Sequence, residues 1–173
     1  MCSSDLKEIA YKALIRSHLE YASPAWNPYT QRNINKIEAV QRRAARFVLG
    51  NYTYGPDSHL TEDIKCKLGW QPLINRRALY DLSVFYKIRN ELINIPFPMN
   101  VKPSFRRVNR YQHIQTLYSE SFRHSFFPRT IRLWNLLPVS IQTAGSLPTF
   151  NGNTAVWFAP RAWARVHGTW WPV

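Results

Sequence analysis

The stretch Thr30-Gln-Arg-Asn-Ile-Asn-Lys-Ile-Glu-Ala-Val-Gln-Arg-Arg-Ala-Ala-Arg-Phe-Val-Leu-Gly50 decides the fold class of this chain. Apolar residues recur in it at helical spacing. Thr30 stands where an N-terminal cap is wanted, and Gly50 suits the left-handed position just past a helix end. At about 100° per residue, Ile34, Ile37, Val40, Ala44, Phe47 and Val48 fall on one face, and Arg32, Lys36, Arg42, Arg43 and Arg46 fall on the opposite arc. The apolar face is expected to pack. The five cations, offset within the helix only by Glu38, are expected to point together into solvent or onto phosphates.

Working outward, Asp5 to Tyr21 reads as a preceding helix. Ser4 or Asp5 would cap it, Leu6, Ile9, Ala10, Ala13 and Leu14 give it a stripe, and Pro24 and Pro28 end it. On the other side, Ser58 to Leu68 reads as a short helix stopped by Gly69. Trp70 is expected to anchor the turn that follows. Pro72 suits the first turn of a longer helix to about Ile93, with Leu73, Leu79, Leu82, Phe85, Tyr86, Ile88 and Leu92 available for burial.

From Phe97 to Phe127 no period of two or 3.6 is sustained, so a basic irregular loop that orders on a ligand is expected. Thr130 is expected to cap a short helix from Ile131 to Leu136, with Trp134 and Leu137 inward. A further helix could begin at Leu147, but Gly152, Pro160 and Gly168 are expected to interrupt it. The fold class that follows is mainly α: a small bundle of about four to six helices with an irregular basic loop and a poorly ordered C-terminal tail. The expected divisions are a helical region over 1–96, a basic linker over 97–127, a short helical element over 128–150 and a Trp-rich tail over 151–173.

At 173 residues, 45% hydrophobic and 14% aromatic, the chain has material for a modest core in one domain or two small ones. Its net charge of +13 draws it toward polyanions, with RNA or DNA first in line. A solvated basic surface is the alternative. No stretch approaches the roughly 20 apolar residues of a membrane span, and the N-terminus lacks the apolar core of a secretory signal. An intracellular location, nuclear or cytoplasmic, is therefore expected, with no membrane partner. Cys2 and Cys66 are too few and too far apart for a zinc knuckle, so neither metal nor cofactor is expected.

Catalysis finds little footing in the pattern. Two-metal chemistry needs converging carboxylates, but the ten acidic residues are scattered. The only adjacent pair, Glu62-Asp63, sits where it would stabilise a helix start. His18, His59, His113, His124 and His167 have no carboxylate or cysteine at a motif spacing. Ser83 and Ser125 lack a nucleophile turn, and the six glycines form no phosphate loop. The chain is expected not to be an enzyme.

Three segments carry a resemblance. They are Tyr21-Ala-Ser-Pro-Ala-Trp-Asn-Pro-Tyr29, Ile37-Glu-Ala-Val-Gln-Arg-Arg-Ala-Ala-Arg-Phe47, and Phe126-Phe-Pro-Arg-Thr-Ile-Arg-Leu-Trp-Asn-Leu-Leu-Pro138. Together with Leu68-Gly-Trp-Gln-Pro-Leu-Ile-Asn-Arg-Arg77 and Phe85-Tyr-Lys-Ile88, they resemble the thumb and carboxy-terminal region after the palm in reverse transcriptases of non-LTR, LINE-type (jockey-like) retrotransposons. The resemblance covers roughly residues 6 to 150. The Tyr/Phe-Ala-Asp-Asp turn of the family's RNA-directed DNA polymerase has no counterpart here, and neither does its endonuclease. The resemblance therefore implies a truncated, noncatalytic fragment, whose full-length relatives perform target-primed reverse transcription and would use such a region to hold template RNA or primer duplex.

By the same resemblance, Arg42, Arg43, Arg46, Arg129 and Arg132 are expected to contact phosphates, with Arg76 and Arg77 as secondary candidates. Arg32 and Lys36 join them on the basic helix, and Arg106, Arg107 and Arg110 on the loop. Trp26, Trp70 and Trp134 could stack bases or, between prolines, glycines and apolar residues, anchor the fold. After Phe150 the sequence departs from the family pattern. Two functions stand side by side: non-specific binding of RNA or DNA through phosphates, or docking of apolar helix faces on the polymerase core of a full-length element. A complete small enzyme, a third reading, would need titratable groups converging in a closed pocket.

Overall fold

Gly50 ends the decisive helix, Gln31–Leu49, at φ 65°, a left-handed conformation that glycine takes without penalty, and its N–H bonds to the Arg46 carbonyl. This computed structural model describes residues 3–50, 68–98, 101–104, 109–113 and 119–158. All of the expected helix from Ser58 to Leu68 except Leu68, which stands in a turn, lies outside the described residues, as do the Glu62-Asp63 pair, Cys2, Cys66, His59, His167, Arg106, Arg107 and the chain beyond Phe158. The protein is mainly helical, and it divides into two compact units, Met1–Arg77 and Ala78–Val173.

In the first unit the chain opens with a helical run: α-helix over Ser3–Ala10, a wider π-helical turn over Tyr11–Arg16, and α-helix again over Ser17–Glu20. Ala22, at φ 49°, breaks the run, and Pro24 starts the one-turn helix Ser23–Trp26. Thr30 stands at the N-cap of Gln31–Leu49 in extended conformation. Its carbonyl accepts the N–H groups of Asn33 and Ile34, both at 3.0 Å, while its hydroxyl makes no capping bond.

The core of this unit gathers Tyr11, Ala44, Ala45, Val48 and Trp70, with Leu68 against it. The Tyr11 and Trp70 rings stack at 4.5 Å, and the Trp70 indole N–H donates to Glu8 Oε1 at 2.9 Å. Trp70 thus anchors its turn, as its sequence setting predicts.

The buried faces differ from those the periodicity predicts. On Gln31–Leu49 they are Ile34, Glu38, Gln41, Ala44, Ala45 and Val48, whereas Phe47 is 48% exposed. On the first helical run the buried residues are Tyr11 and Glu20, whereas Leu6, Ile9 and Leu14 are 55%, 50% and 68% exposed. The reason is a polar seam with residues 71–77. Glu38 Oε1 accepts the Ile74 N–H at 3.0 Å, Gln41 Nε2 donates to the Gln71 carbonyl at 3.0 Å, and Glu20 holds the Arg76 guanidinium through both carboxylate oxygens. Buried polar groups must be paired, and that requirement turns each helix away from its most apolar face.

The helix Leu73–Arg89 begins in the first unit and continues in the second. It ends before the expected Ile93, and Glu91 follows at φ 56°. Leu82, Phe85, Tyr86 and Ile88 are buried as predicted, while Leu92 is exposed past its end.

Around this helix the second unit places a short antiparallel hairpin, Val101–Pro103 with Tyr111–His113, paired Val101 to His113 and Pro103 to Tyr111. The helical elements Glu120–Arg123, Phe126–Leu136, Val139–Gln142 and Leu147–Trp157 follow. The strands, at three residues each, are too short to show a period of two in the sequence. Thr130 is buried in the middle of Phe126–Leu136 and does not cap it; Ser125 occupies that N-cap. Gly152 does not interrupt Leu147–Trp157, whose N-cap Ser146 accepts the Thr149 N–H.

Aromatic rings hold this unit together. Phe85 meets Trp134 at 5.1 Å, Tyr111 at 5.3 Å and Phe97 at 5.7 Å, while Phe150 stacks on Tyr86 at 4.6 Å. Polar tips of the same rings are satisfied: Trp134 Nε1 donates to the Asn109 carbonyl at 2.9 Å, and the Tyr86 hydroxyl to the Ala144 carbonyl at 2.8 Å. Asn135 extends the hairpin edge with its amide, donating to the Tyr111 carbonyl and accepting the Tyr111 N–H.

Candidate nucleic-acid interface

Arg32, Lys36, Arg42, Arg43 and Arg46 project from the solvent arc of Gln31–Leu49, with Arg32, Lys36 and Arg43 exposed and Arg42 and Arg46 half-buried. Side chains spaced along about 120° of one helix face present their charges to one side. Glu38 is the only acidic residue between Tyr21 and Asn51, and it is buried, with its carboxylate on Ile74. No ion pair joins any of the five cations to a carboxylate among the described residues. The outward face of this helix is thus positive from end to end. Beside it, Lys7 Nζ lies 5.1 Å from the Phe47 ring centroid, which adds a further cation at the exposed ring.

Among the described residues Glu20, Glu38 and Asp81 are buried, and so are Arg77 and Arg129.

Other arginines singled out in the sequence have internal partners. Arg76 is held by Glu20, as its bonds to both carboxylate oxygens require. Arg77 is fully buried, and its Nε donates to Asn27 Oδ1 at 3.0 Å. Arg129 is buried too: its Nε and Nη2 meet the Asp81 carboxylate at 2.8 Å and 3.2 Å, and Nη1 donates to the His124 carbonyl at 2.8 Å. These three guanidinium groups are committed within the protein, and a phosphate arriving from solvent cannot reach Arg77 or Arg129.

Arg132 is exposed and donates to the Arg123 carbonyl at 3.0 Å. Partial desolvation, with Arg123 and Arg129 nearby, holds its pKa below the usual arginine value. Arg110 is half-buried next to the hairpin. Arg32, Lys36 and Arg43 are the freest cations of the set.

The structure also sorts the three tryptophans. Trp70 and Trp134 are core residues, whereas Trp26 is 41% exposed. Its indole N–H donates to the Tyr21 carbonyl at 2.6 Å. Tyr21 and Tyr29 are exposed in the same proline-bounded segment, which carries the resemblance but no assigned contact of theirs. The prolines at 24 and 28 are the available signal, because they break the preceding helix and keep the segment from continuing its core-facing stripe.

Among the described residues no group of three or more His, Cys, Asp or Glu side chains is placed to hold a metal ion, and no helix is long and apolar enough to cross a membrane. In comparisons with protein-family models, curated proteins and solved structures, none matches this chain.

Proposed function

We propose that this chain is a noncatalytic, mainly helical module that holds RNA or DNA through phosphates with little sequence preference, similar to the region after the palm in LINE-type reverse transcriptases. In such relatives it would support reverse transcription, in the nucleus or cytoplasm, by holding template or primer. The observation that carries the reading is the withdrawal of Glu38 into the interior, which leaves Arg32, Lys36, Arg42, Arg43 and Arg46 as a helix face without negative charge. A regular row of cations on a rigid rod suits a phosphate backbone and requires no base contact.

The test is binding of the purified chain to single-stranded RNA and to duplex DNA across a salt series, with circular dichroism to verify folding. Affinity that falls steeply with salt supports the reading, since each neutralised phosphate releases counterions. A folded chain that binds neither at low salt, or binds independently of salt, overturns it.

One observation favours a second reading, docking on the polymerase core of a full-length element. Leu6, Ile9 and Leu14, with the exposed Ala10 and Ala13, form an apolar stripe on the solvent side of the first helical run. Such a stripe costs solubility unless something covers it. Replacing Leu6, Ile9 and Leu14 with Gln would raise solubility and leave nucleic-acid affinity unchanged if the stripe serves docking alone.

A further inference from the structure

Exposed aromatic rings stand in the segment that leads directly into the cationic helix, and that succession selects one kind of nucleic acid. Tyr21 is 79% exposed and Trp26 41%, with Tyr29 exposed just ahead of the helix that carries Arg32 and Lys36. From Tyr21 to Ile37 there is no acidic residue. The Trp26 indole is fixed by its bond to the Tyr21 carbonyl, and Pro24 lies in the first turn of Ser23–Trp26, so the ring is held in place before any ligand arrives.

We propose that Tyr21 and Trp26 form a stacking platform for unpaired bases, and that Arg32 and Lys36 hold the phosphates of the same strand. The occupant is single-stranded nucleic acid. A duplex offers only phosphates and stacked interiors, so it can use the cations but not the rings. A free strand can use both, because every unpaired base presents a π-face. Exposed apolar rings alone would not choose between a nucleic acid and a protein partner. The cations that follow in the chain, together with the lack of any acidic residue from Tyr21 to Ile37, favour a polyanion that carries planar rings. The inference rests on the nucleic-acid reading above and deepens it, since that reading is indifferent to strandedness.

The experiment measures fluorescence anisotropy of labelled oligo(dT), alone or annealed to oligo(dA), with the full chain and with W26A, Y21A and W26F. The expected result is tighter binding to the single strand. W26A and Y21A each weaken it by about tenfold and leave duplex affinity little changed, and W26F restores most of the loss, since phenylalanine keeps a stacking face. Should W26A fail to fold, Y21A and W26F decide the matter, because the side chain of Tyr21 contributes little packing at its exposure.

Duplex binding with no single-strand preference, or equal losses on both ligands, overturns the platform and leaves the phosphate reading standing. Binding of neither ligand overturns both.

Discussion

Glu38 Oε1 accepts the backbone N–H of Ile74 at 3.0 Å across a sequence separation of 36 residues. The bond caps the start of Leu73–Arg89, where free N–H groups and the helix dipole favour a carboxylate, and it removes the one acid from the basic helix. Glu38→Ala should therefore destabilise the protein by about 1–3 kcal/mol, from the lost cap and the void left by a buried side chain. Glu38→Gln keeps an acceptor oxygen and should lose less. Urea denaturation of the two variants checks this, and an unchanged midpoint for Glu38→Ala would show that the bond contributes nothing.

The Asp81–Arg129 pair is the counterpart in the second unit, with Asp81 fully buried and Arg129 nearly so. Arg129→Met would leave the Asp81 carboxylate inside without its guanidinium, at a cost of about 3–5 kcal/mol. The double change Asp81→Leu with Arg129→Met removes both charges and should recover part of that loss. A double-mutant cycle in urea measures the coupling. If Arg129→Met is as stable as the parent, the arginine does not have the internal role its geometry gives it.

Tyr11 supplies a pH test. Its hydroxyl is buried without a hydrogen-bond partner among the described residues, and burial pushes the phenol up from 10.0 to about 12, with Glu20 and Glu38 adding to the rise and Arg16 and Arg76 opposing it. The unfolded chain releases this proton near pH 10 and the folded chain only near pH 12. Stability is therefore fully present below about pH 10 and declines as pH rises toward 12, by about 2–3 kcal/mol in total. Tyr11→Phe should remove that component of the alkaline decline. Absorbance titration of phenolate in parent and variant identifies the late-titrating group.

The helix Gln31–Leu49 was legible nearly to the residue, because its ends are written locally in Thr30 and Gly50. Its rotation about its own axis was not. Periodicity placed Phe47 inside and left Glu38 on the charged side, whereas Phe47 is exposed and Glu38 is buried against Ile74. Local sequence records which residues share a face but not what stands opposite, and here the facing segment presents backbone N–H and C=O groups that need polar partners. The same limit applies to the site. The cations of Arg32, Lys36 and Arg43 could be read from one helix, but the commitment of Arg77 to Asn27 and of Arg129 to Asp81 spans about 50 residues in each case and has no local signature.

The exposed cations can be tested apart from the committed ones. Arg32, Lys36 and Arg43 have no ion-pair partner among the described residues, so the triple change to Gln should move stability by no more than about 0.5 kcal/mol per site. If all three meet phosphates, the log–log dependence of affinity on salt should become shallower by about 2–3, since each lost contact withholds about 0.7–0.9 of a released counterion. The loss should be similar for unrelated base sequences, because phosphates carry none of the sequence information. An unchanged slope in a folded triple variant would move the contact away from this helix and toward Arg110 and Arg132, where the same substitution and salt series can be repeated.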